Sequence, residues 1–454
     1  MLRFRSVLAV SLAIVTTAPL AAQERLAVKG GKILPVSGPM IEGGVILIRG
    51  GKIEAVGKDL AIPSEAKVID ATGKVVVPGF IEAHSTRGMD QVNESNPNVP
   101  FLSVVDAIDP SQDYFEECRR NGVTTVAVVP GNNTMFGGQA AVIKTAGTYV
   151  NEMVVKRGVG IKISLRPPND RNRMGHLATL RRELDGAKDA IASAKPTSGS
   201  TGGAAASSGD SDDGATAKQQ QPGRGRGGRG AAAPQAPGDA DAALVREALS
   251  KLLKGDVIAF IYCELAMDVS QAIKLVNDYK LKAVLVLGQD CHKAAKQIAA
   301  SKLPVVLDPT LVFWETDQRT GDDRQVILPR VYRDAGVPVT FQVTGGAAGS
   351  LFRAANLPPT VGTNYLWYQA ATAVKYGTPA AEALEAITLR PAKTLGVDKL
   401  AGSIEPGKDA DLAILTGEPL KLDTWVETTI VAGKVVYERD QDRKLKQLLA
   451  PSAK

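Results

Sequence analysis

The pattern of apolar and polar positions divides the chain into two β-rich ends and a long middle in which strands alternate with helices. Short strand patterns separated by glycine occupy residues 26–74 and return in residues 410–437. Helical spacing recurs in the middle, as in residues 269–279, where apolar residues repeat every three to four positions. Apolar runs of strand length lie between such helices, at residues 124–129, 257–262, 283–287, 304–307 and 338–343.

This alternation is typical of a parallel α/β sheet. Eight such units would close a TIM-like (β/α)8 barrel, with its active site at the C-terminal ends of the strands. An open doubly wound sheet fits less well, because no glycine-rich dinucleotide turn follows any strand. We therefore predict a barrel over residues 77–399. We expect the two β-rich ends, residues 24–76 and 400–440, to pair as one small composite β-sandwich.

One stretch departs from this pattern. Residues 196–242 consist mainly of Gly, Ser, Ala, Pro, Gln and Asp, with almost no large apolar side chain. Such a segment cannot bury enough surface to offset the entropy lost on ordering, so we predict a disordered low-complexity insertion within the barrel. The sequence GRGRGGRG at residues 223–230 resembles arginine–glycine segments that bind RNA. In an exported protein we interpret it as a flexible basic loop, and we do not expect nucleic-acid binding.

The N-terminus has the features of a secretory signal. Arg3 and Arg5 precede an apolar run, residues 7–15, that is too short to span a bilayer, and small residues follow before Gln23. We predict a signal peptide over residues 1–22 and export to the periplasm or the extracellular space. An uncleaved membrane anchor is the alternative. We expect no membrane span after cleavage.

Composition sets further limits. The chain has 454 residues, 44% of them hydrophobic, and a formal net charge of +6, which is too modest at this length to argue for a nucleic-acid partner. Its three cysteines do not suggest a disulfide framework. Cys118 is expected to be a buried small apolar residue. Cys263 and Cys291 fall at neighbouring strand ends, where an oxidising compartment would permit a bridge; whether they form one is left open.

Two motifs carry a resemblance to a known family. The sequence VVVPGFIEAHSTRG at residues 75–88 resembles the first barrel strand of the amidohydrolase superfamily, which has an apolar run, Pro-Gly and then His-x-His. The sequences ALEAITLRPAKTLG at 383–396 and GSIEPGKDADL at 402–412 are similar to its alanine-rich helix and the turn into its last sandwich strands. The likeness is to a secreted branch near the imidazolone- and dihydroorotate-cleaving members. It implies hydrolysis of non-peptide C–N bonds by water activated on a divalent metal, usually zinc.

The resemblance also implies metal ligands at the ends of barrel strands 1, 4, 5, 6 and 8. His84 retains the first histidine, and Asp268, downstream of strand 5, still matches the family. The other positions hold residues of different types: Thr86 at the second histidine, Pro167 at a loosely aligned strand-4 position, Tyr262 at strand 5, Leu287 at strand 6 and Thr344 at the strand-8 aspartate that serves as general base.

A catalytic zinc needs about three protein ligands, so a lone imidazole would not retain the ion. We therefore favour a degenerate metal site, in a chain that is a hydrolase by family but is catalytically impaired or a pseudoenzyme. No cofactor is assigned, and zinc is the metal expected if one binds. Two alternatives stay open: an active hydrolase with a rebuilt metal centre, and a non-catalytic subunit that binds a small molecule, forms a homo-oligomer or pairs with an active relative.

A rebuilt centre has candidate donors, but strand alternation disfavours it. Tyr262 and Glu264 should point into the barrel and Cys263 outward toward the helices. The donors considered are His84, Cys263, Glu264, Asp290, Cys291 and His292. We interpret His176 and His292 as ordinary surface or capping histidines. The glycine-rich loop at residues 130–139 resembles one in the secreted branch, and Gln139 could meet a ligand's amide or simply pack the rim. The predicted pocket residues are His84, Thr86, Gln139, Tyr262, Glu264 and Thr344.

Overall fold

The computed structural model describes residues 24–168, 171–193, 239–343 and 365–450. The predicted signal peptide, most of the predicted insertion and Thr344 lie outside these residues. The strands of the described part are, in chain order, β1 (Arg25–Ile33), β2 (Ile41–Arg49), β3 (Lys52–Gly57), β4 (Lys67–Asp70), β5 (Val75–Pro78), β6 (Phe80–Ser85), β7 (Val123–Val128), β8 (Phe136–Lys144), β9 (Val154–Ser164), β10 (Ile258–Cys263), β11 (Ala283–Leu287), β12 (Val305–Val306), β13 (Val312–Thr316), β14 (Asp323–Ile327), β15 (Val339–Thr340), β16 (Leu412–Leu415), β17 (Val426–Val431) and β18 (Lys434–Glu438).

The α-helices of the described part flank the barrel strands and end the chain. They are α1 (Asp113–Arg120), α2 (Val150–Met153), α3 (Arg173–Ser193), α4 (Asp239–Leu253), α5 (Ala266–Tyr279), α6 (Ala295–Ser301), α7 (Leu328–Asp334), α8 (Leu366–Lys375), α9 (Ala380–Glu385), α10 (Leu389–Leu395) and α11 (Arg443–Leu449). Because α4 begins at Asp239, the predicted insertion, which was placed as far as residue 242, runs four residues too far. None of the described helices combines the length and the hydropathy needed to cross a bilayer.

The two ends of the chain form one hydrogen-bonded sheet, as the glycine-separated strand patterns indicated. Its order is β18-β17-β16-β5-β1-β2-β3, and β4 pairs with β1. The join between the ends is the antiparallel pairing of β16 with β5, where Leu412 lies opposite Pro78 and Leu415 opposite Val75. Buried aliphatic side chains from both ends, such as Ile46 and Ile430, form a core of their own. Since β5 runs directly into β6, this sheet positions the first barrel strand.

The barrel sheet has the order β6-β7-β8-β9-β10-β11-β12-β15. The predicted fold class is therefore confirmed as a TIM-like barrel with an additional β domain, but one strand differs from the expected parallel arrangement. β8 runs antiparallel to both β7 and β9. The physical reason is the short connection, residues 129–135, because a parallel crossover needs about a dozen residues or more. The sheet is nearly closed: the Val343 amide donates to Glu82 Oε1 at 3.1 Å across the gap between its ends.

Packing separates the barrel interior from the layer between strands and helices. The interior cluster includes Ile81, Ala83, Phe260 and Val286, all buried. A strict two-residue alternation from Ile81 and Ala83 would direct His84 away from this interior. The β6–β7 pairing, however, shifts register between Glu82 and Ser85. This irregularity breaks the alternation, and it lies where His84 enters the barrel, 6.3 Å from the Phe260 ring centroid.

The three cysteines are buried free thiols. Cys291 Sγ donates to the Cys263 carbonyl oxygen at 3.2 Å, so the two residues meet without forming the bridge that the sequence left open. Cys263 packs in the layer between the strands and the helices, as alternation along β10 suggested. Burial raises the pKa of the Cys291 thiol to about 12. These thiols are therefore apolar packing groups in this structure.

Candidate functional site

A cavity of about 200 Å³ opens at the C-terminal ends of the barrel strands. Its floor comes from residues at or just beyond the ends of β6, β10, β11 and β12, and its rim from the loop that follows β7. The position matches that of active sites in TIM-like barrels. The polar lining includes His84, Thr86, Asn132, Arg166, Tyr262, Asp308 and Gln342.

His84 is held by partners at both ring nitrogens. Its Nδ1 lies 2.8 Å from Gln342 Oε1, and Gln342 Nε2 donates to the Leu307 carbonyl oxygen at 2.8 Å. That second bond orients the amide with its oxygen toward the ring, which assigns the imidazole proton to Nδ1. The other nitrogen, Nε2, lies 2.9 Å from Lys162 Nζ. Burial and the nearby lysine hold the pKa of His84 well below its usual value, so the ring is neutral.

Lys162 is a fully buried lysine at the centre of the barrel. It lies on β9, and its ammonium is 5.4 Å from the Tyr262 ring centroid. No carboxylate of the described residues is within ion-pair distance of it. Burial lowers the pKa of Lys162 to about 7. Lys162 was not among the predicted site residues, although a lysine inside the apolar run of a buried strand is a signal that can identify such a site.

The cavity also carries one carboxylate and one guanidinium. Burial raises the pKa of Asp308 to about 6, while its Oδ1 accepts the Thr310 amide at 2.8 Å. Arg166 follows β9, and its Nε lies 3.4 Å from the Glu264 carboxylate. Both charges face the same small volume. Neither residue was among the predicted site residues, because each follows a strand whose end gave no recognisable motif.

The predicted pocket residues are only partly brought together. Three of them, His84, Thr86 and Tyr262, line the cavity, as does Leu287 from the replaced metal-ligand positions. Gln139 does not; its amide donates to the Pro100 carbonyl oxygen at 3.2 Å and packs the β8 side of the rim. Thr344 lies outside the described residues.

Glu264 and Asp268 lie outside the cavity lining and share a partner, Arg173. The Glu264 carboxylate is 3.1 Å from Arg173 and is not part of the lining. Asp268 is also paired with Arg173, at 2.9 Å. Its carboxylate accepts the backbone amides of Glu264 and Leu265 at 3.1 and 3.0 Å. The family-matching aspartate therefore fixes the start of α5 in this structure. Pro167 is not part of the lining either, although its neighbour Arg166 is.

The histidines outside the motif are buried, so their interpretation as surface residues was wrong. His176 Nε2 lies 2.8 Å from the Ser164 carbonyl oxygen, at the end of β9. His292 Nδ1 lies 2.8 Å from the Gln289 carbonyl oxygen. Both rings satisfy carbonyl groups at the ends of elements, which is the capping role that the sequence analysis gave as the other half of the interpretation.

The described residues do not fit a divalent metal. Both nitrogens of His84 are engaged, and an amine that donates hydrogen bonds lies where a cation would approach Nε2. Leu287 offers no lone pair. Across the described part of the chain, no three His, Cys, Asp or Glu side chains are grouped so that they could hold an ion. Two of the donors considered for a rebuilt centre have other partners: Asp290 pairs with Lys293 at 2.5 Å, and His292 lies 3.4 Å from Glu315.

Comparisons with known proteins agree with the fold and the motifs. A sequence model of the Amidohydrolase family matches residues 374–437. The chain is 24% identical over 432 residues to the amidohydrolase tasK of Hapsidospora irregularis, covering 85% of this chain and 39% of that protein. It is 32% identical over 120 residues to an allantoinase of Enterococcus faecalis, covering 24% of this chain and 21% of that protein. It thus spans well under half the length of these curated relatives.

A solved amidohydrolase structure from Thermotoga maritima MSB8 resembles the whole described fold. The two superpose with a TM-score of 0.70 at 26% identity, over 91% of this chain and all of that one. Together with the barrel, the composite sheet and the C-terminal motif, this likeness defines the class. These findings support the assignment of the chain to the amidohydrolase superfamily.

Proposed function

We propose that this amidohydrolase-fold protein does not use a metal-activated water and that its barrel mouth binds a small polar molecule. The observation that carries the proposal is the Lys162 amine, 2.9 Å from Nε2 of the one retained ligand-position histidine. A cation at that nitrogen would have to displace a buried lysine. The replaced ligand positions, such as Leu287, do not supply the donors that would compensate for this. Superfamily membership alone does not imply the superfamily's reaction.

The cavity's own groups support the binding of a polar ligand. Arg166 offers a hydrogen-bond fork for an anionic or carbonyl group, and Asp308 offers an acceptor for an amine or amide. Asn132 Oδ1, at the rim, is buried and has no hydrogen-bond partner among the described atoms. A buried acceptor without a partner costs free energy that a ligand's N–H or O–H would recover. The combination favours a small molecule that carries both donors and acceptors, such as a cyclic amide or a dipeptide.

Hydrolysis assays separate this proposal from the two alternatives. Allantoin, dihydroorotate and a set of dipeptides would be incubated with the protein as purified, after zinc loading and after chelation. We expect turnover no greater than that of the His84→Ala variant under all three conditions. Turnover that zinc restores, that chelation removes and that His84→Ala abolishes would overturn the proposal in favour of a rebuilt metal centre.

Binding is tested separately, by the shift in melting temperature with the same compounds, since a ligand that binds only the folded state stabilises it. Arg166→Gln and Asp308→Asn should reduce the shift produced by any compound that stabilises the wild type. Arg182→Gln, an exposed arginine on α3, is the matched control and should leave it unchanged. An identical shift in all four proteins would place the binding elsewhere.

A further inference from the structure

A larger cavity lies at the opposite end of the barrel from the site described above. It has a volume of about 470 Å³ and is bounded by the start of β6, the strands β16–β18 and the C-terminal helix α11. Phe80, Trp367, Leu415, Leu420 and Trp425 provide apolar walls. This cavity shares no lining residue with the barrel mouth, so its role does not depend on the proposed function.

Part of the apolar lining of this cavity is exposed to solvent. Trp425 is 51% exposed and Leu448 is 82% exposed. Leu445 and Leu448, one turn apart on α11, both face the cavity. The helix is anchored at its start, where Asp442 accepts the Leu445 amide at 3.0 Å. Exposed apolar side chains that surround a concave space mark a binding site more often than isolated exposed ones do.

Four cationic side chains and one carboxylate, Asp442, line the cavity. Arg120 and Lys444 also line the cavity, but carboxylates neutralise them: Arg120 lies 2.7 Å from Asp442, and Lys444 lies 3.1 Å from Glu116. Lys421 and Arg439 line it as well, and neither is within ion-pair distance of a carboxylate among the described residues. The Arg439 guanidinium lies 4.6 Å above the Trp425 ring, which holds it beside the apolar wall.

We infer that this cavity binds a single-chain amphiphile with a carboxylate headgroup, the chemistry of a fatty acid. The hydrocarbon chain would pack along the aromatic and leucine walls, where it removes apolar surface from water. The carboxylate would meet Lys421 and Arg439 at the rim, where two unpaired cations complement a single anionic group. A second copy of this chain or a neutral lipid is a poorer match, because neither supplies that charge at the edge of an apolar slot.

The tryptophans provide the readout. Two of the chain's three tryptophans, Trp367 and Trp425, line the cavity, while Trp314 lies on β13. Titration with sodium decanoate below its micellar concentration should produce a saturable change in intrinsic fluorescence, and calorimetry should give the same affinity. The neutral alcohol 1-decanol should bind at least about tenfold more weakly, as expected from the loss of two ion pairs.

Variants then locate the binding. Lys421→Gln combined with Arg439→Gln should weaken decanoate binding about tenfold in calorimetry. Lys446→Gln, on α11 but outside the lining, should not change it. Equal affinities for decanoate and 1-decanol, or no effect of the double variant, would overturn the inference. The inference would also be overturned if a second copy of the chain occupied the cavity. Sedimentation would then show a concentration-dependent dimer that does not bind decanoate.

Discussion

At the barrel mouth, the partners of a single imidazole determine what chemistry the site can perform. His84 lies between an amide that accepts from Nδ1 and an amine that donates to Nε2. In this environment the ring is a neutral link in a buried hydrogen-bond chain. The position inherited from the family motif is retained, but its role in this structure is to hold Lys162 and Gln342 together.

His84 should therefore remain neutral through the range where an ordinary histidine titrates. Its pKa is lowered by burial and by Lys162, so its nitrogen chemical shifts should stay those of a neutral ring between about pH 8 and pH 6. Long-range nitrogen–proton correlation spectra would show this, since only three histidines give signals and His84→Gln identifies one of them. A midpoint near 6.5 for the signal lost in that variant would contradict the description of the site.

Replacing Lys162 by methionine should stabilise the fold at neutral pH. The folded-state pKa is about 7 against a usual 10.5, so between these values the unfolded chain binds a proton that the folded chain does not. The buried lysine therefore lowers the free energy of unfolding by an amount that is zero above about pH 10.5, grows as the pH falls toward 7 and is constant below that. We expect Lys162→Met to raise the free energy of unfolding by roughly 1–4 kcal/mol at pH 7, with a smaller gain at pH 9.

Urea denaturation at the two pH values measures this effect. Lys188→Met, an exposed lysine on α3, is the matched control and should show little change at either pH. A Lys162→Met variant that is less stable at pH 7, or whose effect is the same at both pH values, would mean that the lysine is a net stabiliser of the barrel.

The sequence motifs identified some of the residues that line this site and missed others. His84, Thr86, Tyr262 and Leu287 were found because a family pattern or a strand end marks them. Lys162, Asp308 and Gln342 come from other strands and meet His84 only when the barrel closes, so no local pattern joins them. Gln139 packs the rim, which is one of the two roles that the sequence left open for it.

At the scale of elements, the apolar runs predicted the strands well but not the direction of every strand. No apolar run marked β8, and its first residues fall within the predicted glycine-rich loop at 130–139. The strand runs antiparallel to its neighbours because its connection to β7 is short. The composite sheet could be anticipated, since its strands alternate with glycine turns at both ends of the chain. What alternation could not show is the register shift in β6, which depends on pairing with β7.

The pairing of β9 with β10 depends on a glycine. A Cβ at Gly160 would lie 2.5 Å from both the Ile258 carbonyl oxygen and the Phe260 ring, well inside contact distance. Gly160→Ala should therefore lower the free energy of unfolding by roughly 1–3 kcal/mol, the usual cost of overpacking a core. Gly186→Ala, on α3 with no atom near the added methyl, should instead stabilise by roughly 0.5–1 kcal/mol. Thermal denaturation compares the two, and equal effects would rule out the steric explanation.

The barrel is joined to the composite sheet by a buried ion pair. Lys144, at the end of β8, contacts Asp411 and lies 3.0 Å from Asp409, both just before β16. Burial opposes the charge on Lys144, but the two carboxylates outweigh it and raise the pKa of the lysine. Asp411 also accepts the Ala432 amide at 2.9 Å, which ties the turn after β17 to the same point.

Removing the cation should be costly because it leaves Asp411 buried and unpaired. We expect Lys144→Met to lower the free energy of unfolding by roughly 3–5 kcal/mol in urea denaturation at pH 7. The double variant Lys144→Met with Asp411→Asn should recover part of that loss, since the unpaired charge is gone. A single variant as stable as the wild type would mean that the two domains are held together by apolar contacts alone.

For the whole molecule, the sequence was sufficient to predict the class and was not sufficient to predict activity. The barrel and the composite sheet follow from patterns that extend over hundreds of residues, and the resemblance to the superfamily follows from short motifs near both ends of the barrel. The signal peptide, the export of the chain and its partners remain predictions. The chemistry depends on a few atoms at the barrel mouth, and there the family pattern and the residues of this chain disagree.

Metal content tests that disagreement most directly. The purified chain would be dialysed against excess zinc, then against metal-free buffer, and analysed by mass spectrometry with and without chelator. The geometry around His84 predicts zinc far below one ion per chain in both samples, unchanged in His84→Ala. Near-stoichiometric zinc that resists the chelator and is lost in His84→Ala would contradict it and would show that the mouth of this barrel is a metal centre after all.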